Sequence, residues 1–236
     1  MAGSSPRQAG FPVRRLAAER TVRLVASARL REPVLARLVG EEHRDALATI
    51  EGATSGRLLA EARGGDAIAA REFVFGMPQA SFVNAAFAYW RPRALNRFNG
   101  PGRGAWYAAL AADTCIAEVA FHMTRELEAV ADFDATVDYA ELHASFAGEF
   151  VDLRAARPRP ACLDRDPAIG YPAGNALAED VRARGLNGIV WPSVRHAGGT
   201  CFAALFPHAV QSVAQGRVLR LAWRGQREPK VSVLAR

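Results

Sequence analysis

Between Ala105 and Leu234 the chain consists largely of short apolar runs, and their shortness is what most limits the fold. Ala105–Leu110, Thr136–Leu142, Glu149–Leu153, Gly188–Trp191, Cys201–Phe206, Ser212–Leu221 and Val231–Leu234 are all of strand length. For the first of these, length alone does not separate strand from helix, but the bounding glycine and aspartate favour a strand. One helix is clear. Asp113 or Thr114 is suited to cap it, and Ile116, Val119, Ala120, Met123 and Leu127 recur at the spacing of a single apolar stripe. A second helix is predicted from about Asn175 to Arg184, ending at Gly185, which suits the left-handed position after a helix. Strands outnumber helices and no internal repeat is visible, so the predicted fold class is α+β with a strand-rich core.

The first part of the chain reads differently. Residues 1–20 are rich in small residues and arginine without periodicity, and are predicted to be a mobile arm. Thr21–Val25 alternates as a half-buried strand does, and Pro33–Arg63 has helical spacing broken by Gly40, Gly52 and Gly56. The expected organisation is therefore an arm at 1–20, a helical subregion at 21–75 and a main domain at 76–236.

At 236 residues, half of them hydrophobic, the chain is long enough to bury a core unaided. No run approaches the roughly 20 apolar residues of a membrane helix, and the N-terminus has no apolar signal region, so a cytoplasmic location without membrane contact is expected. Cys115, Cys162 and Cys201 are odd in number and well separated, which suits reduced structural thiols. The five histidines show no metal-ligand spacing, and no metal is expected. A net charge of +6 is compatible with a nucleic-acid partner, but Lys230 is the only lysine and the arginines are scattered among acidic residues. A coding bias toward arginine accounts for that pattern, so direct nucleic-acid binding is not expected.

Against this background some polar residues stand out at the edges of apolar runs: Arg97, Tyr107, Glu118 and Ser193. A packed core has no use for a guanidinium, a carboxylate and a hydroxyl in these places, and their recurrence suggests a polar cleft. Each also has a plain reading: a surface loop at 96–104, an i,i+4 pair of Glu118 with His122, a core tyrosine, a turn serine. Asn96–Gly104 is neither a Walker loop nor a Gly-x-Gly-x-x-Gly turn, although its glycines would let backbone amides approach an anion.

Taken in order, the segments Asn84–Pro92, Asn96–Ala109, Ala117–His122, Gly188–Arg195 and Phe202–Phe206 resemble the RES domain family, named for an Arg, a Glu and a Ser that match Arg97, Glu118 and Ser193. One departure is Phe98, where simple family members have tryptophan. The resemblance implies an ADP-ribosyltransferase-like core with a helical N-terminal extension. It also implies a toxin of a toxin–antitoxin pair that degrades NAD by cleaving the nicotinamide–ribose bond. ADP-ribose would pass to water or inorganic phosphate; a protein acceptor is the alternative, and a basic nucleic-acid-binding module is the alternative of another class. NAD enters as substrate. The partner implied is an antitoxin with a helix-turn-helix domain, and a homodimer is a further expectation. Arg97, Tyr107, Glu118 and Ser193 are the expected catalytic residues, with Arg91, Asn99, His122 and Arg195 as the expected NAD-binding residues.

Overall fold

The computed structural model describes residues 10–27, 68–88 and 95–234. Among the described residues seven strands form one sheet: β1 (Val13–Ala26), β2 (Trp106–Ala109), β3 (Asp134–Asp152), β4 (Gly188–Pro192), β5 (Thr200–Ala204), β6 (Val210–Arg224) and β7 (Lys230–Leu234). The described α-helices are α1 (Ala80–Ala88), α2 (Ala112–Val130) and α3 (Pro167–Ala183). The architecture is the strand-rich α+β arrangement expected. None of the described helices is long and apolar enough to cross a membrane.

The strand order is β1-β2-β5-β4-β3-β6-β7, and β1 also pairs with β3. The pairings therefore close a circuit through β1, β2, β5, β4 and β3, from which β6 and β7 extend. Only β3 and β4 run parallel. Alternation sends opposite side chains into two cores. Ala109, Val151, Ile189, Trp191, Cys201 and Ala203 meet Leu127 of α2 and Leu177, Ala178 and Val181 of α3. On the other face Trp106, Ala108, Phe150, Val190 and Phe202 meet Val83 and Phe87 of α1. Because β2, β4 and β5 are buried on both faces, they read in sequence as continuous apolar runs.

β1 starts at Val13, inside the stretch expected to be an arm. Its first half pairs with the far end of β3, from Val13 opposite Val151 to Ala18 opposite Phe146. A backbone ladder holds this segment, so its side chains need show no alternation. Of the expected helical subregion, residues 21–26 are strand and 70–72 a short 3₁₀ turn, while 28–67 lie outside the described residues.

The runs Thr136–Leu142 and Glu149–Leu153 belong to one strand, β3. Its partner changes from β6, as far as Phe146, to β4, from Phe150. Gly148 lies between, at φ +140°, and a Cβ there would sit 2.1 Å from Asn187 Oδ1. That oxygen accepts the Glu149 amide at 2.8 Å.

Neither Asp113 nor Thr114 caps α2. The N-cap is Ala111, without a side-chain bond, and Thr114 is buried, with its hydroxyl 2.9 Å from His196 Nδ1. The apolar stripe of α2 packs on the core as expected. α3 begins eight residues earlier than its sequence pattern, at Pro167, where Asp166 caps it by accepting the Ala168 amide at 2.9 Å. Gly185 follows at φ +68°, as expected for the residue after the helix.

Replacing Gly148 with alanine strains the backbone and displaces Asn187 from its bond to the strand. Chemical denaturation should show a loss of about 1–3 kcal/mol. A loss below a few tenths would mean that the partner change does not need glycine.

Candidate active site

Glu118 projects from the second turn of α2 toward the loop after β4. Pro192 ends that strand, and the chain turns back through 193–199, pinned by the Ser193 amide on Gly199 O at 2.8 Å and the Gly199 amide on His196 O at 3.1 Å. Ser193 Oγ donates to Glu118 Oε1 at 2.9 Å while accepting the amides of Arg195 at 3.2 Å and His196 at 3.1 Å. The serine is thus a strut between a backbone turn and a carboxylate. Cys201 Sγ lies 3.9 Å from the same oxygen. Burial and the neighbouring Glu118 charge raise the Cys201 pKa, so it faces the carboxylate as a thiol. No hydrogen bond among the described residues uses Glu118 Oε2.

Arg97 sits in a tight turn, closed by the Asn96 amide donating to Asn99 O at 2.9 Å. Phe98 anchors the turn, fully buried with its ring 4.7 Å from that of Trp191. Tyr107 Oη accepts the Phe98 amide and donates to Asn99 Oδ1, each at 2.9 Å. Tyr107 and Asn99 are therefore bonded to each other beneath the turn, and burial raises the phenol pKa. α3 closes against the turn at Gly174, where a Cβ would lie 1.9 Å from Arg97 O. Only a glycine allows that approach. Arg97 is 7% exposed, with Nη1 donating to Cys162 O at 2.6 Å and Asp164 O at 2.9 Å. Nε and Nη2 make no hydrogen bond among the described residues.

Tyr171, in the first turns of α3, joins the two halves. The Arg97 guanidinium lies 5.4 Å over its ring, the His122 ring is 6.5 Å away, and the Arg195 charge acts on its phenol. Arg195 stacks 3.5 Å over Phe121 and donates to Arg165 O at 2.7 Å. Burial raises the Tyr171 pKa despite these arginines, so the phenol stays neutral. Burial, then the charges of Arg195, Arg125 and Arg97, push His122 down to about 4. The side chain is exposed, so the cations are the firmer cause. Its partners are aromatic rings, and no bond to Glu118 forms among the described residues.

Of the expected residues, Glu118 and Ser193 are directly bonded, and Arg97, His122 and Arg195 converge on Tyr171. Tyr107 and Asn99 lie under the Arg97 turn, and Arg91 is outside the described residues. Tyr171, Phe121, Arg125 and Arg165 were not singled out by the sequence. Asp166-Pro167 was the available signal, since that pair starts the helix that carries Tyr171. Among the described residues no three His, Cys, Asp or Glu side chains converge as metal ligands. Among the described residues the arrangement provides one fixed carboxylate with one oxygen free of hydrogen bonds, set among guanidinium groups, a neutral imidazole and a phenol. It is suited to holding an anionic ligand while stabilising positive charge at one point.

The low pKa of His122 predicts a pH signature. The unfolded chain binds a proton near the ordinary histidine pKa of about 6.5 and the folded chain only near 4, so stability is complete above 6.5 and falls as pH drops toward 4. The Tm of His122→Gln should fall less than that of the wild type across this window. Equal slopes would remove His122 as the cause.

The RES domain family matches residues 73–224, from just before α1 to the end of β6. Among solved structures, the crystal structure of the M. tuberculosis MbcT–MbcA toxin–antitoxin complex contains a chain 17% identical to this one. The similarity has a TM-score of 0.38 and covers 54% of this chain and 72% of that chain. No curated protein matches. The family match spans well over half of the sequence and includes the Arg97 turn, Glu118 and Ser193, and the chain belongs to the RES domain family.

Proposed function

We propose that this protein is the toxin of a toxin–antitoxin pair and that it cleaves the bond between nicotinamide and ribose in NAD, passing ADP-ribose to water or inorganic phosphate. The observation that carries the proposal is the Glu118 carboxylate, held through one oxygen by Ser193 at 2.9 Å, with no hydrogen bond to its other oxygen among the described residues and with its charge acting on Arg195 and Tyr171. Its RES family membership supports the toxin reading, and the partner is then an antitoxin, of helix-turn-helix type, that covers this cleft.

The chemistry follows from where charge develops. As the C1″–N bond breaks, its electron pair leaves with nicotinamide, whose ring loses its positive charge, and the ribose carbon gains oxocarbenium character. A carboxylate fixed beside the sugar stabilises that cation without having to reorganise. Ser193 and Cys201 hold Glu118 in place; neither acts as a nucleophile. The Arg97 edge that makes no hydrogen bond among the described residues and the Arg195 guanidinium suit the diphosphate, fixing the sugar against Glu118. His122, neutral at physiological pH, adds no further cation next to the forming one. Water then adds to C1″ and releases a proton, giving ADP-ribose; phosphate adds through an oxygen to give the 1″-phosphate.

The arginines elsewhere weigh against a nucleic-acid surface. Arg217 is paired with Glu141, Arg220 with Asp138, Arg224 with Asp134, Arg103 with Glu72 and Arg154 with Asp152, so much of the positive charge is neutralised locally.

The test is NAD loss by the purified, antitoxin-free protein, with and without phosphate, with products separated by chromatography. Glu118→Gln should lose about 10²–10³-fold in rate, and Ser193→Ala about tenfold because the carboxylate is no longer held. NAD left intact by folded wild type in both buffers, or an unimpaired Glu118→Gln, would sink the proposal. ADP-ribosylated cell protein without free ADP-ribose would transfer the same site to protein modification.

A further inference from the structure

Thr114 and Glu118 stand at i and i+4 on α2, one turn apart on the same helical face. Ser193 and His196 stand three residues apart in the loop after β4. Two hydrogen bonds join these pairs side by side: Ser193 Oγ to Glu118 Oε1, and Thr114 Oγ1 with His196 Nδ1, each at 2.9 Å. The second bond takes no part in capping the helix, and Thr114 is only 1% exposed. A hydroxyl so far from water costs stability unless it is bonded, and His196 is its one partner among the described residues.

The contact is closely built. A Cβ on Gly199 would lie 2.6 Å from Thr114 Oγ1 and 3.1 Å from His196 Nδ1, so a glycine is what lets the loop bring the imidazole against α2. Gly199 also ties the loop to itself, its amide donating to His196 O at 3.1 Å and its carbonyl accepting the Ser193 amide at 2.8 Å. His196 and Ser193 are coupled directly, because Ser193 Oγ accepts the His196 amide at 3.1 Å. One bond between loop and helix fixes a distance and leaves rotation about it. A second bond one turn away removes that rotation. The orientation of the Ser193 hydroxyl, and through it of the Glu118 carboxylate, therefore depends on a contact made outside the reacting groups.

We propose that Thr114 and His196 are positioning residues for Glu118: their bond locks the 193–199 loop in the orientation in which Ser193 holds the carboxylate. The assignment rests on the reading of Glu118 as the carboxylate that faces the breaking bond, and it adds two residues that act through Ser193. Its consequence is specific. Losing the bond slows the chemical step and leaves binding intact, and it costs little once the Ser193 hydroxyl is gone.

The experiment compares Thr114→Val, which keeps the shape and loses the hydroxyl, with Thr114→Ser, which keeps the hydroxyl, and with His196→Phe, all in the full chain and checked for folding by circular dichroism. Kinetics with NAD are measured beside amide hydrogen exchange, read by NMR at Arg195 and His196, whose amides donate to Ser193 Oγ. Thr114→Val and His196→Phe should lower kcat about five- to tenfold with KM within about twofold, and Thr114→Ser should stay within about twofold of wild type. Thr114→Val combined with Ser193→Ala should be within about twofold of Ser193→Ala alone. Both amides should exchange about tenfold faster in Thr114→Val and at the wild-type rate in Thr114→Ser. A rise in KM at constant kcat, a Thr114→Ser as slow as Thr114→Val, or losses that multiply in the double variant would overturn the assignment. If folded wild type leaves NAD intact, the NAD reading fails and exchange alone decides. Faster exchange in Thr114→Val but not in Thr114→Ser then supports the lock, and equal rates overturn it.

Discussion

The length of β3 is the constraint from which the rest of the structure follows. Nineteen residues of continuous strand give it room for β1 along one edge and for β6 and then β4 along the other. A strand of this length serves both the closed circuit and the β6–β7 extension. The partner change at Gly148 brings β4 in parallel to β3, which is why α3 is needed as the crossover between them. That crossover delivers Tyr171 and Gly174 to the Arg97 turn, and the end of β4 delivers Ser193 to Glu118.

The cleft is consequently assembled from distant segments with few degrees of freedom. The Arg97 turn is held from below by Tyr107 and Asn99 and from the side by α3, so its guanidinium emerges in one direction. The loop after β4 is tied to α2 twice, by Ser193 on Glu118 and by His196 on Thr114. Electrostatic stabilisation is effective when its groups do not have to reorganise as charge develops, and these ties supply that rigidity without using the second carboxylate oxygen.

Arg97, Glu118 and Ser193 were legible because a charged or hydroxyl side chain at the edge of an apolar run has few structural reasons to be there. Tyr171 was not. Gly170, Pro172 and Gly174 interrupt the helical period around it, although Gly174 is there to let the Arg97 turn approach, and Pro172 lies inside the helix without an amide to donate to the Ala168 carbonyl. Tyr107 was visible as a polar group, but whether its hydroxyl faced a ligand or a loop is decided by the turn folded over it. The strands β4 and β5 were readable from continuous burial. The first half of β1 was not, because a ladder to β3 depends on backbone groups that every residue carries.

The arginines show how one residue type serves two purposes. Along β3 and β6, Arg217, Arg220 and Arg224 face carboxylates and contribute little net field. Around the cleft, Arg97 bonds the carbonyls of Cys162 and Asp164, Arg165 that of Val194, and Arg195 that of Arg165. A carbonyl fixes a guanidinium in position and satisfies its donors but carries no net charge to cancel it. The same composition therefore yields a nearly balanced sheet surface and a locally positive cleft. A net charge of +6 says little about function until the partner of each cation is known.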